Sequence, residues 1–314
     1  MPEFIKTFKQ LTYKNVDIAG GKGASLGEMT KAGIPVPPGF VVLASAFDRF
    51  LEETDLDVEI EAVIKKVKPD NINSVEKASE KIRDLILDAK FPKDIAQEIT
   101  KEFSILKAPL VAVRSSATAE DSSVASWAGE LETYLNVTKK NLLESVKLCW
   151  SSLFTPRAIF YRFEKKLHDQ KVSVAVVVQK MVQSEISGIS FTAHPVTRDR
   201  KQMVIEAGYG LGEAIVGGKI TPDTYIVRKQ DNSILDKNIS QQEMMIVKNG
   251  AKGIVETKVP ISKQEKQKLT DTQIKAMAKI CLNIEKHYKK PQDIEWALEK
   301  GKFYITQSRP ITTL

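Results

Sequence analysis

The densest chemistry in this 314-residue sequence sits near its C-terminal end, in Asp293, Glu295, Gln307 and Arg309. Side chains of an extended strand alternate between two faces, so Asp293 and Glu295 share one face while Ile294 and Trp296 take the other. Gln307 and Arg309 repeat that spacing on a following segment. A turn at Glu299-Lys300-Gly301 would fold the two segments, Gln292 to Leu298 and Lys302 to Gln307, into a hairpin, because glycine takes positive φ at little cost. Two carboxylates, an amide oxygen and a guanidinium would then meet on one face. Such a set offers hard oxygen ligands for Mg²⁺ beside a cation for a phosphoryl group. A solvated sheet face shows the same alternation, so the pattern alone leaves both readings open.

Two further segments aim positive charge at an anion. Ala19-Gly20-Gly21-Lys22-Gly23-Ala24-Ser25-Leu26-Gly27-Glu28 sets a lysine among glycines just ahead of a helix. Glycines let backbone N–H groups approach an anion, the helix start adds partial positive charge, and Lys22 adds a full one. The spacing is not that of a Walker loop, since Val16 stands where glycine is required and Gly23 where Ser or Thr is required. A capping turn with an exposed lysine is the alternative. Val113-Arg114-Ser115-Ser116-Ala117-Thr118-Ala119-Glu120-Asp121 reads as a strand end that delivers Arg114 into a small polar loop. There the guanidinium can hold two phosphate oxygens, or serve in a surface salt bridge. In the segment Ala128 to Leu135, Gly129 can act as the pivot of a flap and Thr133 can offer its hydroxyl to a phosphate.

The elements that must position these residues follow from periodicity. Val58, Ile60, Val63, Ile64 and Val67, then Ile82, Leu85 and Ile86, recur at helical spacing and predict three or four helices before about Phe103. Pro109 stops helix and opens a strand from Leu110 to Arg114. Dense valine at 172–182 and apolar runs at 188–192, 202–207 and 223–228 predict sheet, and a long helix is expected from about Ser262 to His287. Helices and strands cluster instead of alternating one for one. The expected class is therefore α+β in two mixed α/β lobes, 1–185 with the glycine-rich segment and a helical insertion, and 186–314 with the hairpin.

Composition excludes several functions. The formal charge of +7 would attract polyanions, but the lysines lie in dispersed pairs such as Lys65-Lys66 and Lys139-Lys140 among glutamates, as on solvated helix faces. No helix-turn-helix, zinc-finger or aromatic RNA-binding signature accompanies them, so nucleic acid is not an expected partner. No run of eighteen apolar residues occurs and the start, MPEFIKTFKQL, lacks signal-peptide zones, which predicts a cytoplasmic protein without a membrane partner. Cys149 and Cys281 sit in apolar helical patterns and read as buried free thiols. His168, His194 and His287 lack zinc spacing, and Gly208 to Glu213 lacks the glycine spacing of a dinucleotide fingerprint.

Taken together, Gly20-Gly21-Lys22-Gly23, Val113 to Asp121, Gly129, Gln179-Lys180-Met181-Val182, Gly210-Leu211-Gly212-Glu213 and Gln307-Ser308-Arg309-Pro310 resemble a known domain in order, spacing and content. It is the ATP-binding, ATP-grasp-type domain of phosphoenolpyruvate synthase and pyruvate phosphate dikinase, shared with rifampin phosphotransferase. The resemblance implies an ATP-grasp-like fold with the nucleotide in a cleft between the lobes, ATP as substrate and Mg²⁺ as cofactor. It implies that Lys22 and Arg114 hold ATP phosphates, that Arg309 stabilises the transferring phosphoryl group, and that Glu295 and Gln307 bind Mg²⁺. Adenine would lie against Gln179, Met181 and Val182, with Gly129, Thr133 and Asp293 as further nucleotide contacts and Glu213 at the ribose. The implied activity is that of an ATP-dependent phosphotransferase, similar to pyruvate, water dikinase, that passes a phosphoryl group to a phosphocarrier histidine. The implied partners are a phosphohistidine domain and an acceptor-binding domain. Neither is expected within these 314 residues, so the chain by itself is not expected to convert pyruvate to phosphoenolpyruvate. A natural split system, a fragment of a longer enzyme, a rifampin phosphotransferase-like enzyme and a non-catalytic nucleotide-binding regulatory module all stay open.

Overall fold

Valine-rich runs become strands and helically spaced runs become helices in a computed structural model that describes residues 3–118, 121–122, 125–126, 132–167, 172–250 and 253–312. The readings of Gly129 and His168 concern positions outside the described residues. The chain divides into two compact units, Met1–Glu28 with Pro38–Met181 and Met29–Pro37 with Val182–Leu314. Both are mixed α/β, and every strand pair among the described residues is antiparallel. Among those residues no helix is long and apolar enough to cross a membrane.

The first unit is built on β1 (Ile5–Thr7), β2 (Gly39–Val42), β3 (Val111–Ala117), β6 (Thr133–Val137) and β7 (Val174–Lys180), in the order β1-β2-β7-β3-β6. A separate two-residue pair joins β4 (Asp121–Ser122) to β5 (Ala125–Ser126). Helix α1 (Val16–Lys31) precedes β2; α2 (Ala44–Glu53), α3 (Leu56–Ile64), α4 (Ile72–Asp88) and α5 (Lys93–Leu106) follow it. Helices α6 (Leu142–Ser151) and α7 (Pro156–Glu164) come after β6. Their starts are written locally: Asn71 accepts a hydrogen bond from Ser74 N–H, and Thr155 caps α7 with Pro156 in the first turn.

The pleat sorts the side chains of this sheet. Phe40 and Val42, Val111, Val113 and Ala117, and Val174, Val176 and Val178 join one apolar core with α2 to α7. Phe47, Phe50, Phe91 and Trp150 pack together within it, with ring centroids 5.0–6.0 Å apart. The alternate residues, including Val41, Ala112, Arg114, Ser116, Val177 and Gln179, lie on the opposite face. Helix α1 covers that face, where a Cβ on Gly23 would lie 3.1 Å from Val41 Cγ2.

The second unit runs β8 (Ile186–Phe191), β9 (Gln202–Tyr209), α8 (Glu213–Val216), β10 (Asp223–Arg228), β11 (Ile234–Asn238), β12 (Met244–Lys248), β13 (Ile254–Lys258), α9 (Ile261–Gln264), α10 (Asp271–Tyr288), β14 (Gln292–Glu299) and β15 (Lys302–Pro310). Its main sheet has the order β11-β10-β9-β8-β14-β15, and β12 pairs with β13 apart from it. Helix α10 lies across β9, β10, β11 and β14 and buries Ile274, Met277, Ala278, Cys281 and Ile284. The β14–β15 hairpin closes on Lys300 and Gly301 with φ of 51° and 73°, the paired positive values of a tight hairpin turn.

Four local expectations change. The glycine loop is a break at Gly20 alone, with Gly21, Lys22 and Gly23 already helical. Strand β3 continues past Arg114 to Ala117, because β7 pairs with it along its whole length. The β12–β13 hairpin adds two strands between residues 228 and 262 beyond those that the sequence pattern predicts. The long helix expected from Ser262 is α9 and α10 with a gap, and the gap has a cause. Lys268 turns inward to form an ion pair with Asp223 at 2.8 Å, both side chains fully buried, and Thr270 with Gln273 then restarts the helix through a capping box. Asp223 also accepts from Tyr225 Oη at 2.7 Å, Lys268 N–H at 2.8 Å and Ser240 N–H at 3.0 Å. Removing one partner of such a pair strands a buried charge. Lys268→Met is therefore expected to cost about 3–5 kcal/mol in urea unfolding, whereas a loss below about 1 kcal/mol would mark the pair as solvated.

Candidate functional site

In the first unit, register brings several of the expected residues together. Arg114 stands directly opposite Thr133 on β6 and Val177 on β7, and it is buried. Gln179 occupies the next row of β7, beside Ala112 and Gly39, and is also buried. All lie on the face turned away from the helical core, the face that α1 covers. Lys22 belongs to the first turn of that helix after the break at Gly20 and is half-buried. Gly20 has φ 67°, and a Cβ there would sit 2.2 Å from both the carbonyl oxygen and Oγ of Ser116. Only glycine fits this contact.

Beyond Gln179 the ladder continues by single bonds: Lys180 N–H donates to Pro38 O at 2.8 Å and Met181 N–H to Leu110 O at 3.0 Å. Both amide donors are thereby engaged within the protein. Val182 is buried and counts with the second unit.

In the second unit, Glu295 stands opposite Gln307 and Asp293 opposite Arg309. Cross-strand partners of this kind have Cβ atoms about 4.5–5.5 Å apart, close enough for the Glu295 and Gln307 oxygens to converge. Arg309 donates to Asp293 Oδ2 through Nε at 2.9 Å and Nη2 at 2.8 Å. Asp293 is largely buried and Arg309 half-exposed, so the carboxylate holds the guanidinium at the surface of the sheet. The register shifts between Glu295 and Trp296: Trp296 pairs with Ile305 and Glu295 with Gln307, leaving Thr306 as a bulge. Strict alternation would put Ile305 on the same face as Gln307. The bulge lets Ile305 enter the core while Gln307 points the other way. Beneath the hairpin, Trp296 Nε1 donates to Ser190 Oγ at 2.9 Å and Ser308 Oγ donates to Gln292 Oε1 at 2.9 Å.

Glu213 opens the four-residue α8, past the end of β9, and the ladder does not bring it beside the Asp293–Arg309 group. Glu206, which is not among the site residues expected from the sequence, does share that face. It pairs with Ile189, which pairs in turn with Glu295, so Glu206, Ile189, Glu295 and Gln307 form one row. Burial raises its carboxyl above the usual range, and the charge of Asp293 raises it further. A lone glutamate inside the apolar run Met203 to Ala207 was the available signal.

Nucleophilic cysteine chemistry has no support. Cys149 and Cys281 are free and buried, as expected. Burial raises the Cys149 thiol well above its ordinary value, with Glu132 adding to the shift and Lys22 opposing it. Burial likewise pushes Cys281 up to about 12. His194 Nδ1 accepts from Val196 and Thr197 N–H at 3.3 and 3.2 Å, a turn-forming role.

The sequence matches the family described as pyruvate phosphate dikinase, AMP/ATP-binding domain, over residues 16–314. The chain belongs to that family. A probable phosphoenolpyruvate synthase of Methanocaldococcus jannaschii is 50% identical over 99% of this chain and 27% of its own length. The phosphoenolpyruvate synthase of Pyrococcus furiosus is 43% identical over 99% of this chain and 44% of its own length. The rifampicin phosphotransferase of Bacillus subtilis is 39% identical over 100% of this chain and 36% of its own length. The chain thus spans less than half the length of these curated relatives.

The shared face of Glu206 and Asp293 yields a measurable coupling. Asp293→Asn is expected to lower the titration midpoint of the Glu206 carboxyl, followed by ¹³C NMR, though not to that of an exposed glutamate, because burial is the larger cause. An unchanged midpoint would show that the two carboxylates do not sense each other.

Proposed function

We propose that this chain binds Mg·ATP and is the nucleotide-handling part of a phosphoenolpyruvate synthase-like phosphotransfer system, delivering a phosphoryl group to a histidine on another domain or chain. The observation that carries this reading is the single face shared by Asp293, Glu295, Gln307 and Arg309, in a chain of this family. An ATP-grasp-like hold on the nucleotide by residues of two lobes is part of the proposal and rests on the resemblance.

Phosphoryl transfer asks little covalent chemistry of a protein and much positioning of charge. Lys22 and Arg114 are proposed to neutralise phosphate oxygens, Arg114 with its direction set by a rigid mid-strand position. Arg309, held through Nε and Nη2 by Asp293, is proposed to bring its positive charge to the phosphoryl group as charge spreads over its oxygens. Mg²⁺ usually takes one or two protein oxygens and keeps water and phosphate for the rest; Glu295 and Gln307 would hold it, and it would offset negative charge on the phosphates. Thr133, opposite Arg114, is proposed as a hydroxyl contact, and Gln179, Met181 and Val182 as the wall for adenine. Gly129 and Glu213 keep their proposed nucleotide and ribose contacts from the resemblance alone. In the transfer the P–O bond to the nucleotide breaks, a P–N bond to the histidine ring forms, and the nucleotide leaves as its oxyanion.

Two measurements test the reading. Lys22→Ala and Arg114→Ala should each weaken Mg·ATP binding by about 1–3 kcal/mol in calorimetry if they make charge-assisted hydrogen bonds, and wild-type affinity in either would remove that residue from the site. Glu295→Gln should lower metal-dependent transfer, read as acid-labile phosphohistidine on an added histidine domain, more than it lowers metal-free ATP binding. Equal losses would argue against a ligand role, and no phosphohistidine despite tight ATP binding by the unaltered chain would favour a regulatory module.

A further inference from the structure

The helix that carries Lys22 begins without a capping side chain. Gly20, with φ 67° and ψ 171°, interrupts the helical run, so it stands at the cap and Gly21, Lys22 and Gly23 are the first helical residues. The N–H groups of a first turn have no partner within the helix, and a Ser, Thr, Asp or Asn at the cap normally accepts from the second or third of them. Gly20 has no side chain, and the 2.2 Å approach to Ser116 leaves no space for one.

The missing oxygen comes from another strand. Ser116, fully buried on β3, accepts from Gly23 N–H through Oγ at 3.2 Å and donates from the same Oγ to Ala19 O at 3.0 Å. One hydroxyl thereby ties both sides of the break at Gly20. Gly23 is the third helical residue, the position a local cap would serve. Ser116 also lies two residues beyond Arg114 on a strand paired along its length, so both side chains share a face about 6.6–6.8 Å apart along the strand.

We propose that Ser116 is a positioning residue that caps the Lys22 helix from a distant strand and so sets the spacing of Lys22 and Arg114. The inference rests on reading those two residues as the phosphate-holding pair. A loop could let Lys22 drift with solvent. A cap built into the strand that bears Arg114 makes the two cations parts of one rigid frame.

Calorimetric titration of the full chain with Mg·ATP tests this through Ser116→Ala, Lys22→Ala and the double variant. Ser116→Ala should weaken binding roughly 3- to 30-fold, the range expected for losing a helix cap. In the Lys22→Ala background the same change should cost less than about twofold, because Ser116 acts through Lys22. A merely structural serine would lower thermal stability without that non-additivity. Wild-type affinity in Ser116→Ala, or losses that multiply independently, would overturn the proposal. If the unaltered chain does not bind Mg·ATP, the phosphate-site reading fails first and this inference with it. Should Ser116→Ala not fold, amide exchange of the ligand-free wild type decides: slow exchange at Gly23 that Ser116→Thr retains supports the cap, and fast exchange at Gly23 overturns it.

Discussion

A strand's pleat sends successive side chains to opposite faces, and in both units that division separates the apolar core from the polar side chains of the candidate site. In the first, Val111, Val113, Val176 and Val178 seal the helical core while Arg114, Thr133 and Gln179 occupy the other side. In the second, Ile294 and Trp296 face the core beneath the hairpin while Asp293 and Glu295 face away. A one-residue slip would exchange the faces and drive Arg114 or Glu295 into apolar surroundings. The cost of burying an unpaired charge is large, so the hydrophobic pattern enforces the register that assembles the candidate site.

Function also needs places where regularity is broken on purpose. The bulge at Thr306 sends Ile305 inward and Gln307 outward, though the two are separated by a single residue. Gly188 leaves space for the indole of Trp296, since a Cβ there would fall 2.3 Å from Trp296 Cζ2. The indole in turn reaches Ser190, fixing the layer under Glu295. Gly20 does the same for α1 by permitting contact with Ser116. In each case an extra residue or a missing side chain at one point of a strand or helix sets where a polar side chain emerges.

The connections of the second unit are held by buried polar groups instead of by sheet. Asp223 and Lys268 close the path from β10 to α10, with Lys268 also donating to Ser240 O. Gln242 accepts from Tyr209 N–H at 2.8 Å and donates to Tyr209 O at 3.0 Å, while Leu211 N–H donates to Ile246 O. Ser184 and Ser187 both donate to Gly210 O. The turn that leads to Glu213 is thereby fastened on two sides. Full satisfaction of these groups is what makes their burial tolerable.

The sequence by itself determined the strands and helices with strong periodicity, the buried free cysteines, the family motifs, and, within each strand, the shared face of Asp293 with Glu295 and of Gln307 with Arg309. Those are local properties, carried by residue type and by spacings of 2 and about 3.6. Tertiary structure alone decided that Ser116 caps a helix more than ninety residues earlier in the chain, that Lys268 turns inward and splits an expected helix, and that Glu206 joins the row of Glu295. It also decided that Met29–Pro37 belongs with the second unit, where Ile305 N–H donates to Pro35 O at 2.9 Å. Each of these depends on a partner distant in sequence, and local propensity carries no information about which distant group will supply the hydrogen bond or charge.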